Sequence, residues 1–330
     1  MPTYAVTGSS GYIGTRTIRW LLDASPDNRV IGLDVRPPRI ADPRLEHHEL
    51  DVRDPRVSEV LAGRGVRAVL HFAFIVDPLY DEREMTDIDV GGTRNVLEAA
   101  RAAGARYLLA TSSTTAYGAL PDNPVPLYED HPTRAAPAFV YAHDKRQMDE
   151  LLRGFAAAHP EIAVCILRPC IVLGPTVSNY IAQNLLERPV GTLIDGRDPP
   201  IQFIHEDDLA RLIGTCVERE AAGVYNAVGE GFVTASEAAR IQGKRALAVP
   251  RRVAAALLWG VERARLLAYH LPPGILDFYV HPWVASGGKA RRELGFVPAH
   301  TSRECFELIV GRKREIRDAF EKQMAARARR

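Results

Sequence analysis

The chain has 330 residues, 46% of them hydrophobic and 25% charged, with a formal net charge of +1 and a mean hydropathy of −0.12. That composition belongs to a globular fold with a sizeable core and excludes a disordered or fibrous chain. With 42 basic residues against 41 acidic ones, the cationic excess needed by a general nucleic-acid binder is missing. Buried strands are expected at Thr3–Thr7, Val30–Asp34, Ala68–Phe74, Tyr107–Ser113 and Ala163–Arg168. Each is dense in Val, Ile, Leu or Phe with little polar alternation, as in a strand covered on both faces. Between them, Ile13–Asp23, Met85–Ala103 and Tyr141–His159 are long enough for helices, and Met85–Ala103 sets Ile88, Val96, Leu97 and Ala100 near one stripe. This alternation predicts a doubly wound parallel α/β sheet.

After about residue 170 the pattern loosens. Short strands are expected at Gly191–Ile194 and Ile201–His205, a capping box at Thr234–Glu237, and a long helix at Arg251–Tyr269. The apolar stretch Ala254–Val261 reads as core packing, with a greasy substrate entrance or an oligomer contact as alternatives. The apolar run Val253–Val261 is nine residues, whereas a spanning helix needs about 20, so no membrane span is expected. Met1–Val6 lacks a basic start before an apolar stretch, and no signal peptide is expected. The cysteines, Cys165, Cys170, Cys216 and Cys305, form no C-x-x-C and read as reduced thiols of a cytoplasmic protein. Three regions follow: residues 1–170, to which some later segments return; a smaller, mainly substrate-binding lobe at 171–310; and a tail at 311–330. The tail carries eight basic side chains against three acidic ones. It reads as a solvated terminal helix, with an anionic membrane surface or acidic partner as the lesser reading.

The first strand runs into Thr7-Gly8-Ser9-Ser10-Gly11-Tyr12-Ile13-Gly14. Glycines at such a turn let the backbone bend tightly and let a pyrophosphate approach the free N–H groups of the next helix. Asp34 ends the second strand 20 residues after Gly14, where a carboxylate accepts hydrogen bonds from an adenosine ribose and favours NAD. Arg36 stands close enough to offset repulsion of a 2′-phosphate, which keeps NADP as an alternative. Asp51 and Val52 end a further extended stretch and are expected near the adenine.

Tyr141 and Lys145 stand at i and i+4, on one helix face. Tyrosine titrates at about 10, and a nearby ammonium is expected to favour the phenolate, giving a proton-exchanging group for a substrate oxygen. Ser113 lies 28 residues before Tyr141, at the end of an expected strand, placed to hold the same oxygen. His47 and His48 lack metal-pair spacing and no Cys/His cluster appears, so no metal site is expected. No G-x-S-x-G elbow supports a hydrolase.

Taken together, Thr7–Gly14, Asp34, Asp51-Val52, Thr111–Gly118, Tyr141–Lys145, Arg168–Pro175 and Phe203–Ala210 resemble, in order, the extended short-chain dehydrogenase/reductases. The likeness is closest to their NAD-dependent epimerase/dehydratase group and covers roughly residues 3–300. It implies a Rossmann-type domain with a smaller C-terminal substrate lobe, and Ser113, Tyr141 and Lys145 as catalytic residues. It further implies that Lys145 binds the nicotinamide ribose, that Ala73 and Pro169 line the cofactor cleft with Tyr12 and Ile13, and that the chain forms a homodimer through the helices at Met85–Ala103 and Tyr141–His159. Sugar dehydratases of the group carry Asp-Glu after the serine; Thr114 and Thr115 stand here. Many nucleotide-sugar members carry Asn where this chain has Ile171, which offers no side-chain hydrogen bond. Asp89 stands where the group has Asn and reads as structural. The substrate-side candidates are Val76, Asp77, Thr115, Cys170 and Asn179.

The main expectation is reversible hydride transfer at a secondary alcohol or ketone carbon of a small molecule, as a dehydrogenase, a reductase or an epimerase. A nucleotide-sugar epimerase is the narrower alternative. A non-catalytic NAD(P)-binding sensor is the alternative from another class.

Overall fold

The computed structural model describes residues 1–315 except 176, 178–180, 182–184, 187–189, 268 and 314. Asn179 and most of the basic tail therefore lie outside the described residues. The first half alternates strand and helix: β1 (Thr3–Thr7), α1 (Tyr12–Ala24), β2 (Arg29–Asp34), β3 (Leu45–Glu49), α2 (Arg56–Leu61), β4 (Val66–His71), α3 (Glu82–Thr86), α4 (Gly92–Ala102), β5 (Tyr107–Thr111), α5 (Val140–Ala158) and β6 (Ala163–Pro169). The second half adds β7 (Ile171–Leu173), β8 (Gly191–Ile194), β9 (Pro200–Ile201), β10 (Phe203–His205), α6 (Glu206–Glu218), β11 (Gly223–Ala227), β12 (Val233–Thr234), α7 (Ala235–Ile241), β13 (Ala246–Val249), α8 (Arg251–Arg263) and α9 (Gly288–Leu294).

Seven strands make one parallel sheet in the order β11-β6-β5-β4-β1-β2-β3, a Rossmann-type doubly wound topology. Alternation within a strand sends its side chains to two separate cores. In β1, Tyr4 and Val6 join Ile18 and Leu21 of α1 and Leu212 of α6. Ala5 between them joins Val96 of α4 and Met148 and Leu152 of α5 on the opposite face. Burying each such aliphatic side chain stabilises the fold by about 1.5–3 kcal/mol, so the two-sided apolar strands hold the sheet centre. Outside the sheet, β7 pairs with β10, β8 with β13 and β9 with β12. β7, β9, β10 and β12 pack around Leu173, Phe203, Val233 and Phe306, while Ile194 of β8 and Val249 of β13 join Ala254 and Leu276.

Several expectations are corrected. Met85–Ala103 is helical through Ala102 but not uniformly α-helical: a π-turn at Asp87–Gly91 joins α3 to α4 and turns Asp89 into the protein. The Arg251–Tyr269 helix stops at Arg263, with Arg265 in the left-handed region at φ 48°. Ala254–Val261 is not simply core: Ala254 is buried, but Leu257 and Trp259 are 63% and 65% exposed. Ile201–His205 breaks at Gln202, whose buried amide donates to the Gly229 and Ala285 carbonyls and accepts from Ala285 N–H. The Thr234 hydroxyl does accept from Glu237 N–H at 3.3 Å and caps α7. In the Phe203–Ala210 segment, Asp208 accepts from Ala299 and His300 N–H, tying the chain's later part to α6. Among the described residues, no helix is long and apolar enough to cross a membrane.

Candidate active site

The C-terminal ends of β1, β2, β4, β5 and β6 open into a cleft of about 990 Å³. At its floor Gly8 adopts φ +67°, and a Cβ there would lie 2.6 Å from Ala73 N. A Cβ on Gly14 would lie 2.1 Å from the Gly8 carbonyl oxygen. Both positions therefore require glycine. α1 begins at Gly11 with no side-chain cap, which leaves its first N–H groups facing the cleft end for an anion. Asp34 is buried and accepts from Ser10 N–H at 3.0 Å and from Arg36 N–H at 3.0 Å. The Arg36 guanidinium folds back on the same carboxylate at 3.3 Å. Asp51 accepts from Nε and one terminal nitrogen of Arg53, and those hydrogen bonds hold its carboxyl below the usual range. These features fit a dinucleotide: an uncapped helix start behind a glycine turn, and a carboxylate at the next strand end.

The reacting end is built on α5 and on the turn after β5. Tyr141 and Lys145 lie one helical turn apart and are both buried. Ser113 starts a 3₁₀ turn at Thr114–Tyr117, and its oxygen accepts from Thr115 N–H at 3.1 Å and the Thr115 hydroxyl at 2.9 Å. The Lys145 ammonium donates to the Thr111 carbonyl at 2.8 Å and sits 3.4 Å from the centre of the Phe74 ring. Phe74 also meets Tyr141 edge-on at 5.6 Å, with Phe139 on the phenol at 5.8 Å.

This packing corrects the expected electrostatics. Burial pushes the Tyr141 phenol up to about 12, although a hydrogen bond with Ser113 draws it back down. The ammonium is directed at Thr111 and Phe74, and it is itself pushed down to about 7 by burial, against the pull of Asp89 and Asp144. Spacing on the helix brings the two residues to one face but does not aim the charge at the phenol.

Every cofactor-side and catalytic residue expected from the sequence lines this one cleft, from the glycine loop through Ala73 to Pro169. Val76, Asp77, Thr115 and Cys170 line it as well; Cys170 is buried, and burial raises its thiol. Asp89, read from the sequence as structural, accepts the Ile75 N–H at 2.8 Å. Its other oxygen has no hydrogen-bond partner among the described residues, and burial raises its carboxyl well above the usual value. His71, fully buried between the hydroxyls of Thr7 (2.7 Å) and Thr93 (3.0 Å), is pushed down to about 3 by burial. The sequence reading missed Phe74, Phe139 and the wall formed by Leu276, Phe278 and Trp283. The π-turn residue Asp89 carried one signal, an acid inside an otherwise apolar helical stripe. The distant wall carried none. Among the described residues no group of three His, Cys, Asp or Glu side chains is placed to hold a metal ion.

The NAD dependent epimerase/dehydratase family is matched over residues 4–228. The chain belongs to that family. An uncharacterised family relative from Mycobacterium tuberculosis is 26% identical over 316 residues, spanning 92% of this chain and 81% of the relative. UDP-glucose 4-epimerase of Streptomyces lividans is 34% identical over 173 residues, 49% of this chain and 50% of that protein. Among solved structures, dTDP-glucose 4,6-dehydratase from Streptomyces venezuelae, with NAD bound, superposes with a TM-score of 0.72 at 24% identity, covering 96% of this chain and 98% of that one. As a family member the chain is an NAD-dependent enzyme of the epimerase/dehydratase kind.

Proposed function

We propose that this enzyme transfers hydride reversibly at a secondary alcohol or ketone carbon, with Tyr141 as general acid/base. The observation that carries this is the convergence of Ser113, Tyr141 and Lys145 at the strand ends, in the same cleft as the glycine loop. NAD, when bound against the glycine loop and Asp34, supplies the two-electron acceptor.

In the oxidative direction the Tyr141 oxygen takes the substrate hydroxyl proton. Ser113 lines the cleft with that phenol and orients the same substrate oxygen. Phe74 and Phe139 keep water from the phenol. Lys145 holds the nicotinamide ribose, and its charge, together with that of the oxidised ring, offsets the burial that disfavours the tyrosinate. Asp34 favours NAD because both its oxygens are already fixed by N–H donors as a ribose acceptor beside α1. Thr114 and Thr115 supply no carboxylate next to Ser113, which favours oxidation, reduction or epimerisation over dehydration.

Residues 1–170, with returning segments, serve as the cofactor domain, and 171–310 mainly as the substrate lobe. The protein works as a cytoplasmic homodimer through α4 and α5; the four free, buried cysteines support the choice of compartment.

The test is Tyr141→Phe. Loss of general acid/base catalysis lowers kcat by about 10²–10⁴-fold, measured as NADH absorbance, while NAD affinity by calorimetry stays unchanged. Retained turnover would sink the assignment.

A further inference from the structure

The cleft changes character along its length. Its cofactor end presents glycine backbone and the carboxylates of Asp34 and Asp51. Beyond Tyr141 the wall comes from segments far apart in sequence: Phe74 after β4, Phe139 before α5, Ile171 on β7, Leu258 on α8, and Leu276 and Trp283. The ring of Phe278 joins Phe139 and Trp283 edge-on, each at 5.4 Å, into a continuous aromatic surface. A mostly apolar cavity with a few convergent polar groups at one end fixes a ligand by its single polar handle.

The cations of the described residues do not suit a phosphorylated substrate. Among the described residues, the basic side chains lining the cleft are Arg36, Arg39, Lys145 and Lys244. Arg36 and Arg39 follow Asp34 at the adenosine end. Lys145 donates to Thr111 at the cofactor end, where it is assigned to the nicotinamide ribose. The Lys244 ammonium turns to the Leu186 carbonyl at 2.9 Å and to the Gln242 side-chain oxygen. No arginine among them faces the aromatic wall to make the forked contacts that a diphosphate prefers. Burying a diphosphate against that wall without such partners is strongly unfavourable. At the mouth, Leu257 both lines the cleft and stands 63% exposed, so the apolar path reaches the surface.

We infer that the substrate half of the cleft binds an apolar secondary alcohol or its ketone, carrying no phosphate, with the reacting oxygen as its one polar anchor at Ser113 and Tyr141. This rests on the hydride-transfer reading for its choice of reacting group, but the apolar pocket is tested separately.

The probes are the 2-alkanols from 2-hexanol to 2-undecanol and uridine diphosphate. Binding is measured by calorimetry on the NADH-loaded protein, in which the alcohol cannot be oxidised. Affinity is expected to climb roughly fourfold per methylene, the gain from burying each CH₂, and uridine diphosphate is expected not to bind at millimolar concentration. Leu258→Gln is expected to weaken the longest alkanol severalfold while leaving NADH affinity intact, which also shows that the variant is folded. A flat alkanol series, or uridine diphosphate binding tighter than the alkanols, overturns the inference. NADH formation is then followed with NAD, the alkanols and UDP-glucose. Length-dependent binding with no NADH from any of them, either released or transiently on the protein in single-turnover absorbance, keeps the apolar pocket and overturns hydride transfer. NADH from UDP-glucose alone, with a flat alkanol series, does the reverse.

Discussion

Arg168 is 1% exposed and lies at the end of β6, directly beneath the catalytic turn. Its Nε and one terminal nitrogen each donate to Asp149 at 2.8 Å. Its other terminal nitrogen donates to the Tyr117 hydroxyl at 2.8 Å and the Glu129 carbonyl at 3.1 Å. Arg168→Met deletes those four bonds and leaves Asp149, 0% exposed, with only the half-exposed Arg153 at 3.0 Å. Breaking a buried pair from one side costs about 3–5 kcal/mol; with Arg153 remaining, the lower end, about 3 kcal/mol, is expected. That is a large share of a total stability of roughly 5–15 kcal/mol. Urea denaturation should show the midpoint falling at constant slope. The double variant Asp149→Leu, Arg168→Met removes both charges and should recover much of the loss. Tyr117 closes the 3₁₀ turn that Ser113 begins, so the single variant should also lose turnover before it loses NAD binding. A loss under about 1 kcal/mol, or a double variant as damaged as the single one, refutes the reasoning.

Two further outcomes concern pH. His71 is held neutral, about 3 against an ordinary 6.5, so the unfolded chain binds its proton first. The resulting stability is complete above pH 6.5 and is lost as pH falls toward 3, by about 1.4 kcal/mol per unit. Asp144, raised to about 6, works in the opposite sense below that pH, so the comparison is made between wild type and His71→Asn, whose difference should shrink steadily from pH 6.5 to 5. If the two unfolding curves keep a constant separation, His71 is not the titrating group. Asp89 raises both Lys145 and Tyr141. Asp89→Asn should therefore move the acid limb of the oxidative kcat profile to lower pH, and an unmoved limb would remove Asp89 from the proton chemistry.

The sheet centre was legible because β1, β2, β4, β5 and β6 are buried on both faces and leave almost uninterrupted apolar runs. β3 was legible only as an extended stretch ahead of Asp51 and Val52: as an edge strand of Leu45, Glu46, His47, His48 and Glu49 it carries little apolar signal, and pairing with β2 fixes its bounds. β11 escaped for a similar reason, since a Gly-Val-Tyr-Asn-Ala strand is specified by β6 rather than by its own pattern. The π-turn between α3 and α4 arises where Asp89 reaches the Ile75 N–H, a contact that helical periodicity cannot register. In the cleft, the glycine loop and the Tyr141–Lys145 pair are local and could be read from spacing. The direction of the ammonium and the aromatic wall depend on Phe74, Phe278 and Trp283, which converge only after folding.

The pairing of β11 with β6 also sets an order of events during synthesis. When Pro169 leaves the ribosome, the β6 edge has its partner β5 on one side and nothing on the other. Its completing strand begins at Gly223 and ends at Ala227. At about 5–20 residues per second the edge stays open for roughly 3–12 s. An apolar strand exposed for that long is a template for pairing with another nascent chain. The interval from 170 to 222 is therefore a period when chaperone shielding should matter most to yield.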